Sequence, residues 1–278
     1  MQNWIADIEF EKFSPLARAS KTLLINPFAN YAPSGMLRWL LKMTRSELAE
    51  ANWADPGGWR SMVISYDGRP RQWADKLLVG SGTIPTALRN RRVLAARIIA
   101  RLIDQCPRQP AEVLCVGAGP GQIIMDALSQ ARLESLATLV DLSDAAHDHA
   151  RSSARKRGLD GRLKFIKGDV CNISSMLAGY RPDIVKMIGI CEYIPDEPLV
   201  AIVRSLAAVM PAGAPVVANS LSRSHGTDRF FRRVFGLHMI HRSDVQLQAI
   251  LATAGFGSFF SVPEPLKVYD VIVARRQG

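Results

Sequence analysis

The spacing of apolar residues changes twice along this chain. Over 14–28 and again over 35–53 they recur at helical spacing, which predicts short amphipathic helices. Asp55-Pro56-Gly57-Gly58 and Asp67-Gly68-Arg69-Pro70 read as turns. Residues 84–106 form one longer amphipathic helix, in which Arg89, Arg91, Arg92, Arg97 and Arg101 accompany the apolar stripe. Those arginines are expected on a solvated face or on a surface that attracts substrate. From residue 111 onward, short apolar runs alternate with helical patterns, as in strand–helix–strand units feeding a parallel sheet. Strands are predicted at Val113–Val116, then within 136–143, 163–170, 183–194 and 214–221. Ser143 is placed to cap a helix that Gly158 ends, and Pro211 and Gly213 close another over 197–210. Ser243 and Gln246 form a capping box ahead of a further helix. Residues 257–262 and 267–276 fit a final hairpin.

The turn after the first strand is Gly117-Ala118-Gly119-Pro120-Gly121. Glycines there let the backbone turn sharply and let a ligand approach without a Cβ in the way. Asp141 ends the next strand and Asp169 the one after it; acids at strand ends sit where open α/β sheets bind ligands. A dinucleotide fingerprint needs its third glycine where this chain has Gln122. The G-x-G-x-G turn with a later Gly168-Asp169-Val170 instead resembles the class I S-adenosylmethionine (SAM)-dependent methyltransferases, over roughly residues 86–278. The resemblance implies an α/β fold, a three-layer Rossmann-like sheet of seven strands, mostly parallel with an antiparallel last strand. Residues 86–278 would be the SAM-binding domain; from their own composition, 1–85 read as a helical N-terminal cap and the basic, phenylalanine-rich 222–243 as a mobile lid insert. It further implies SAM as co-substrate and no metal. Gly117, Ala118, Gly119, Gly121 and Gln122 would pass under the amino-acid end of SAM. Asp141, with Leu142 and Ser143, would hold the ribose hydroxyls. Asp169, with Val170, would read the adenine amine, while Gly189 and Ile190 complete the site at the fourth strand's exit.

Candidate chemistry lies at that exit. Glu192 and Tyr193 are candidates for base and orienting group, with Asn219 at the end of the fifth strand as a third. Tyr66 and Trp73 flank a turn and are placed to offer an aromatic face to a sulfonium. His225 is a candidate base, though a surface position is expected for it. His147 and His149 point to different helix faces and make no metal site.

Net charge of +10 allows a nucleic-acid partner, an acidic substrate or simply a basic surface. Residues 1–110 hold 16 Lys and Arg against 9 Asp and Glu, so most of the excess precedes the glycine turn. All five tryptophans lie at or before Trp73, marking the first region as distinct. The aromatic motif of amino-methylating nucleic-acid enzymes, the paired cysteines of cytosine C5 enzymes and the double-glutamate loop of arginine methylation are all missing. A small-molecule substrate is therefore expected rather than nucleic acid. Apolar runs are too short for a membrane span, the four cysteines form no C-x-x-C pair, and the N-terminus lacks the order of a signal peptide. A cytoplasmic enzyme is expected, and a homodimer is compatible with these features. The reading is a small-molecule methyltransferase of biosynthetic or secondary metabolism. The same motifs also suit enzymes that release methylthioadenosine, by closing SAM to azetidine-2-carboxylate or by 3-amino-3-carboxypropyl transfer, as in nicotianamine synthase-like enzymes.

Overall fold

A computed structural model describes residues 4–177 and 179–278; the first three positions of the predicted N-terminal region lie outside the described residues. Seven strands, β1 (Ala111–Val116), β2 (Ser135–Asp141), β3 (Leu163–Lys167), β4 (Ile184–Met187), β5 (Pro215–Asn219), β6 (Phe256–Pro263) and β7 (Asp270–Arg276), form one sheet in the order β3-β2-β1-β4-β5-β7-β6. β1 to β5 run parallel, and β7 enters antiparallel between β5 and β6. Strand order reverses at β1, which pairs with β2 on one side and β4 on the other. A crevice opens beyond the carboxyl ends of strands at such a switch point.

The helices are α1 (Pro15–Ser20), α2 (Asn26–Tyr31), α3 (Ser34–Met43), α4 (Glu47–Ala54), α5 (Trp59–Asp67), α6 (Trp73–Asp75), α7 (Thr83–Asp104), α8 (Gln122–Gln130), α9 (Asp144–Lys156), α10 (Ile173–Met176), α11 (Asp196–Val209), α12 (Asp228–Phe230) and α13 (Asp244–Thr253). Alternate strand residues serve opposite faces. Val113, Cys115 and Ile184 pack with α7 and α8, whereas Leu114, Val116 and Val185 pack with α11 and α13. Burial on both faces explains why the strands read as continuous apolar runs.

A third core joins distant parts of the chain. Leu37 and Leu41 of α3, Tyr66 of α5 and Leu88 of α7 pack with Phe230 and Phe235 of the 222–243 segment and with Tyr269. In this structure that segment packs against the N-terminal helices. Trp53 Nε1 donates to the Val234 carbonyl at 2.8 Å, and Arg38 donates to the carbonyls of Arg233 and Val234.

Two predicted helices differ in detail. The first runs on to Tyr31 through a widened turn at Lys21–Ile25. The second breaks after Met43, because the Ser46 side chain accepts from the Ala49 N–H and starts α4. Asp75 fixes the break by accepting from the Ser46 hydroxyl and the Glu47 N–H.

The α7 arginines are also not a free basic face. Arg91 is fully buried. Arg89 binds Glu11 and the carbonyls of Ser65 and Val79, Arg92 pairs with Asp126, and Arg97 donates to Gln130. Helical periodicity carried the signal for Arg91. It stands three residues after Leu88 and seven before Ile98, on the apolar stripe itself.

Candidate active site

The crevice at the switch point is a cleft of about 470 Å³. Its floor is the glycine turn between β1 and α8, one wall is Asp141 to Ser143 after β2, and the other is Gly189, Ile190 and Tyr193 after β4. Gly57, Trp59, Met62 and Tyr66, around the start of α5 and along it, close the remaining side. Gly117 holds a φ of +58°, and a Cβ there would meet Ile190 Cδ1 at 2.5 Å, so glycine is required by packing and by conformation. At Gly119 a Cβ would meet nothing within 4 Å. The space a ligand would fill lies open above it.

Asp141 is held rigidly at the strand end. Its Oδ2 accepts from the Gly119 N–H at 2.7 Å and its Oδ1 from the Ser143 N–H at 3.0 Å. Each oxygen keeps a second acceptor site for a vicinal diol. Asp169 is placed differently: Val170 lines the cleft, while the Asp169 carboxylate caps the following turn by accepting from the Cys171 N–H at 2.9 Å. Ala118, Gly121, Gln122 and Leu142 line the cleft with the other residues expected there.

The proposed chemical groups divide into two layers. Tyr66 and Tyr193 line the cleft, but Glu192 and Asn219 stand behind it. Glu192 Oε1 accepts from Arg91 Nη1 at 3.0 Å, both side chains being almost wholly buried. Asn219 accepts from the Gly189 N–H at 2.8 Å and so sets the backbone of the β4 exit; it does not reach the cleft. Arg91 Nη2 also donates to the Tyr66 hydroxyl, and the Arg91 guanidinium stacks 4.4 Å from the Tyr269 ring centroid. Burial, followed by the Glu192 carboxylate, pushes the Tyr193 pKa up. Its phenol is thus a hydrogen-bond donor and a poor proton acceptor.

Glu192 borders a second, smaller chamber of about 40 Å³, lined also by Ser61, Ser65, Leu88 and Met239. Gly57, Met62 and Tyr193 line both spaces. Glu192 Oε2 has no hydrogen-bond partner although it is buried. Burying a carboxylate oxygen unpaired is costly, so a donor belongs there.

Two expected aromatic and histidine assignments change. Trp73 is 54% exposed and does not line the cleft; Trp59 does, with its ring 5.2 Å from that of His149. His225 is not on the surface. It is buried, with Nε2 3.0 Å from His241 Nε2.

Lys186 was missed altogether. It lies on β4 beside Cys115, is buried, lines the cleft and donates to the Ile188 carbonyl at 2.9 Å. Burial lowers its pKa. A lysine inside the apolar run from Ile184 to Ile190 was the available signal, since such a cation stays buried only for a reason.

Among the described residues no group of three or more His, Cys, Asp and Glu side chains is arranged to hold a metal, and no helix is long and apolar enough to cross a membrane. Residues 113–213 match the family model described as a methyltransferase domain. No curated protein matches the chain in sequence. Solved structures share the fold. A possible exported protein from Bordetella parapertussis superposes with a TM-score of 0.67 at 15% identity, covering 96% of this chain and 100% of that one. Magnesium protoporphyrin IX methyltransferase from Synechocystis, with bound S-adenosylhomocysteine, gives 0.57 at 14% identity, covering 92% and 100%. An 8-amino-8-demethyl-D-riboflavin dimethyltransferase from Streptomyces davawensis gives 0.52 at 19% identity, covering 81% and 71%.

Proposed function

We propose that the chain is a class I SAM-dependent methyltransferase that methylates a small, largely apolar molecule at a nitrogen or oxygen. The observation that carries this reading is the buried, unpaired Glu192 oxygen at the edge of the chamber beyond Tyr193. The two natural-product and pigment enzymes among the structural neighbours support a small acceptor.

The residues present suit SAM. Asp141 offers two fixed oxygens to the ribose hydroxyls, and Gly119 leaves open space beside them. Lys186 and Arg91 are buried cations lining the same cleft, placed for the carboxylate of the amino-acid end. When bound, SAM supplies an electrophilic methyl group on a sulfonium. The chain's own task is then to exclude water and fix a line of attack; such positioning accounts for a large share of rate acceleration. Tyr66 and Tyr193 line the cleft, where aromatic rings can stabilise a bound cation. Tyr193 donates its hydroxyl hydrogen bond to orient the acceptor. Glu192 accepts a hydrogen bond from the acceptor's N–H or O–H, and holds the proton as attack develops.

Incubation of the protein with SAM, with and without a panel of small aromatic amines and phenols, tests the reading. S-adenosylhomocysteine formed only with an acceptor is the expected outcome, lost in Asp141→Ala together with calorimetric SAM binding. Methylthioadenosine formed from SAM alone would replace methyl transfer by cyclisation or aminocarboxypropyl chemistry.

A further inference from the structure

The helical stretch 15–31 contains no buried residue in any of its three parts. Leu16, Leu23, Leu24, Phe28 and Tyr31 are each more than 55% exposed. Leu16 and Leu23 are seven residues apart, and Leu24, Phe28 and Tyr31 follow at steps of four and three, which places them on one broad side of the helical stretch. The next helix continues the surface. α3 turns Leu37 and Leu41 inward and leaves Met36, Trp39 and Met43 outside, 44%, 60% and 66% exposed. Exposed apolar residues gathered on successive helices in this way mark a place of interaction.

Charge decides the partner. Residues 12–46 carry six Lys and Arg and not one Asp or Glu. Arg38 is occupied by backbone carbonyls of the 222–243 segment and Lys21 by the Ser81 carbonyl. Lys12, Arg18, Lys42 and Arg45 remain exposed around the apolar surface. A two-fold contact of this face with a second copy would set cations against cations, with no acid in the segment to relieve them. A surface that is apolar beneath and anionic above satisfies both features, and that is the chemistry of an anionic bilayer.

We propose that residues 12–46 form a docking face for anionic membrane surfaces. The apolar side chains of the 15–31 stretch and α3 enter the boundary between headgroups and acyl chains, and Lys12, Arg18, Lys42 and Arg45 meet the lipid phosphates. The face is made of residues outside the cleft, so the proposal stands apart from the acceptor assigned above.

Co-sedimentation of the full chain with vesicles tests it. Vesicles of mixed phosphatidylglycerol and phosphatidylcholine should pellet the protein in low salt, vesicles of phosphatidylcholine alone should not, and added salt should release it. Leu24→Glu/Phe28→Glu/Trp39→Glu should weaken retention by roughly tenfold or more with the circular dichroism spectrum unchanged, because all three side chains point outward. A second variant, with glutamine at positions 12, 18, 42 and 45, should lose the preference for anionic vesicles without touching the apolar surface. Failure to pellet with anionic vesicles, or retention equal to wild type in both variants, overturns the proposal. A dimer in sedimentation equilibrium that the triple variant dissociates also overturns it and assigns the face to a second copy.

Discussion

At the scale of single residues, Arg91 and Glu192 form a buried ion pair beside the chamber proposed for the acceptor. Arg91→Met removes the partner of a carboxylate that has almost no exposed surface. Breaking a buried pair from one side costs about 3–5 kcal/mol, which urea denaturation will read directly. Glu192→Gln keeps the size and a hydrogen-bond acceptor for Arg91, so it should cost less than about 2 kcal/mol while turnover with acceptor falls much further. Equal turnover in Glu192→Gln would show that the chamber's acid only anchors Arg91. Sequence pattern located Glu192 through its place after the fourth strand. It could not reveal that Arg91 arrives from a helix one hundred residues earlier, since only the packing of α7 against the sheet brings them together. The position of Asp141 was legible for the opposite reason: it ends the second predicted strand, and the Gly119 N–H meets it across adjacent parallel strands.

At the scale of elements, the two histidines pin the 222–243 segment. His225 Nδ1 accepts from the Thr227 N–H at 3.2 Å while Nε2 faces His241, which in turn lies 3.8 Å from Asp228. Burial, then the neighbouring His241, depresses the His225 pKa from 6.5 to about 4. The unfolded chain therefore takes up a proton that the folded chain refuses. This contribution to stability is complete above pH 6.5 and is lost as pH falls from there toward about 4. The loss should amount to roughly 1–3 kcal/mol, measured as unfolding free energy against pH. His225→Phe/His241→Phe should flatten that slope; an unchanged slope would place the acid sensitivity elsewhere. Basic, phenylalanine-rich composition suggested a free lid here. What composition did not report is that Phe230, Val234 and Phe235 find partners on α3 and other N-terminal residues, at a sequence distance no local pattern reaches. The α/β half was easier to read, since each of its strands and helices is specified by its own periodicity and caps.

At the scale of the whole molecule, the sheet and the cap differ in how they are encoded. The strand runs were read from the apolar pattern, the seven-stranded sheet was implied by the resemblance that the glycine turn carries, and the order β3-β2-β1-β4-β5-β7-β6 is seen in the structure. The cap could not be read in that way, because its core is assembled from residues between 37 and 88, between 221 and 239, and at 268–269. That division has a consequence for how the protein is made. During synthesis, the first 88 residues leave the ribosome long before Leu221 or Tyr269 exists to pack against them. At about 5–20 residues per second the wait is roughly ten to forty seconds. Throughout it, Leu37, Leu41 and Leu88 lack the partners that bury them in the finished protein. Nascent chains stalled near residue 110 should therefore be digested at once by protease and be held by chaperones, whereas chains stalled with residue 278 clear of the exit tunnel should resist. Protection already present at the shorter length would mean that the cap folds without the far end of the chain. Otherwise residues around Leu221 and Tyr269 are what close those around Leu37, and a ribosome that stops before them leaves an adhesive, unfinished stub.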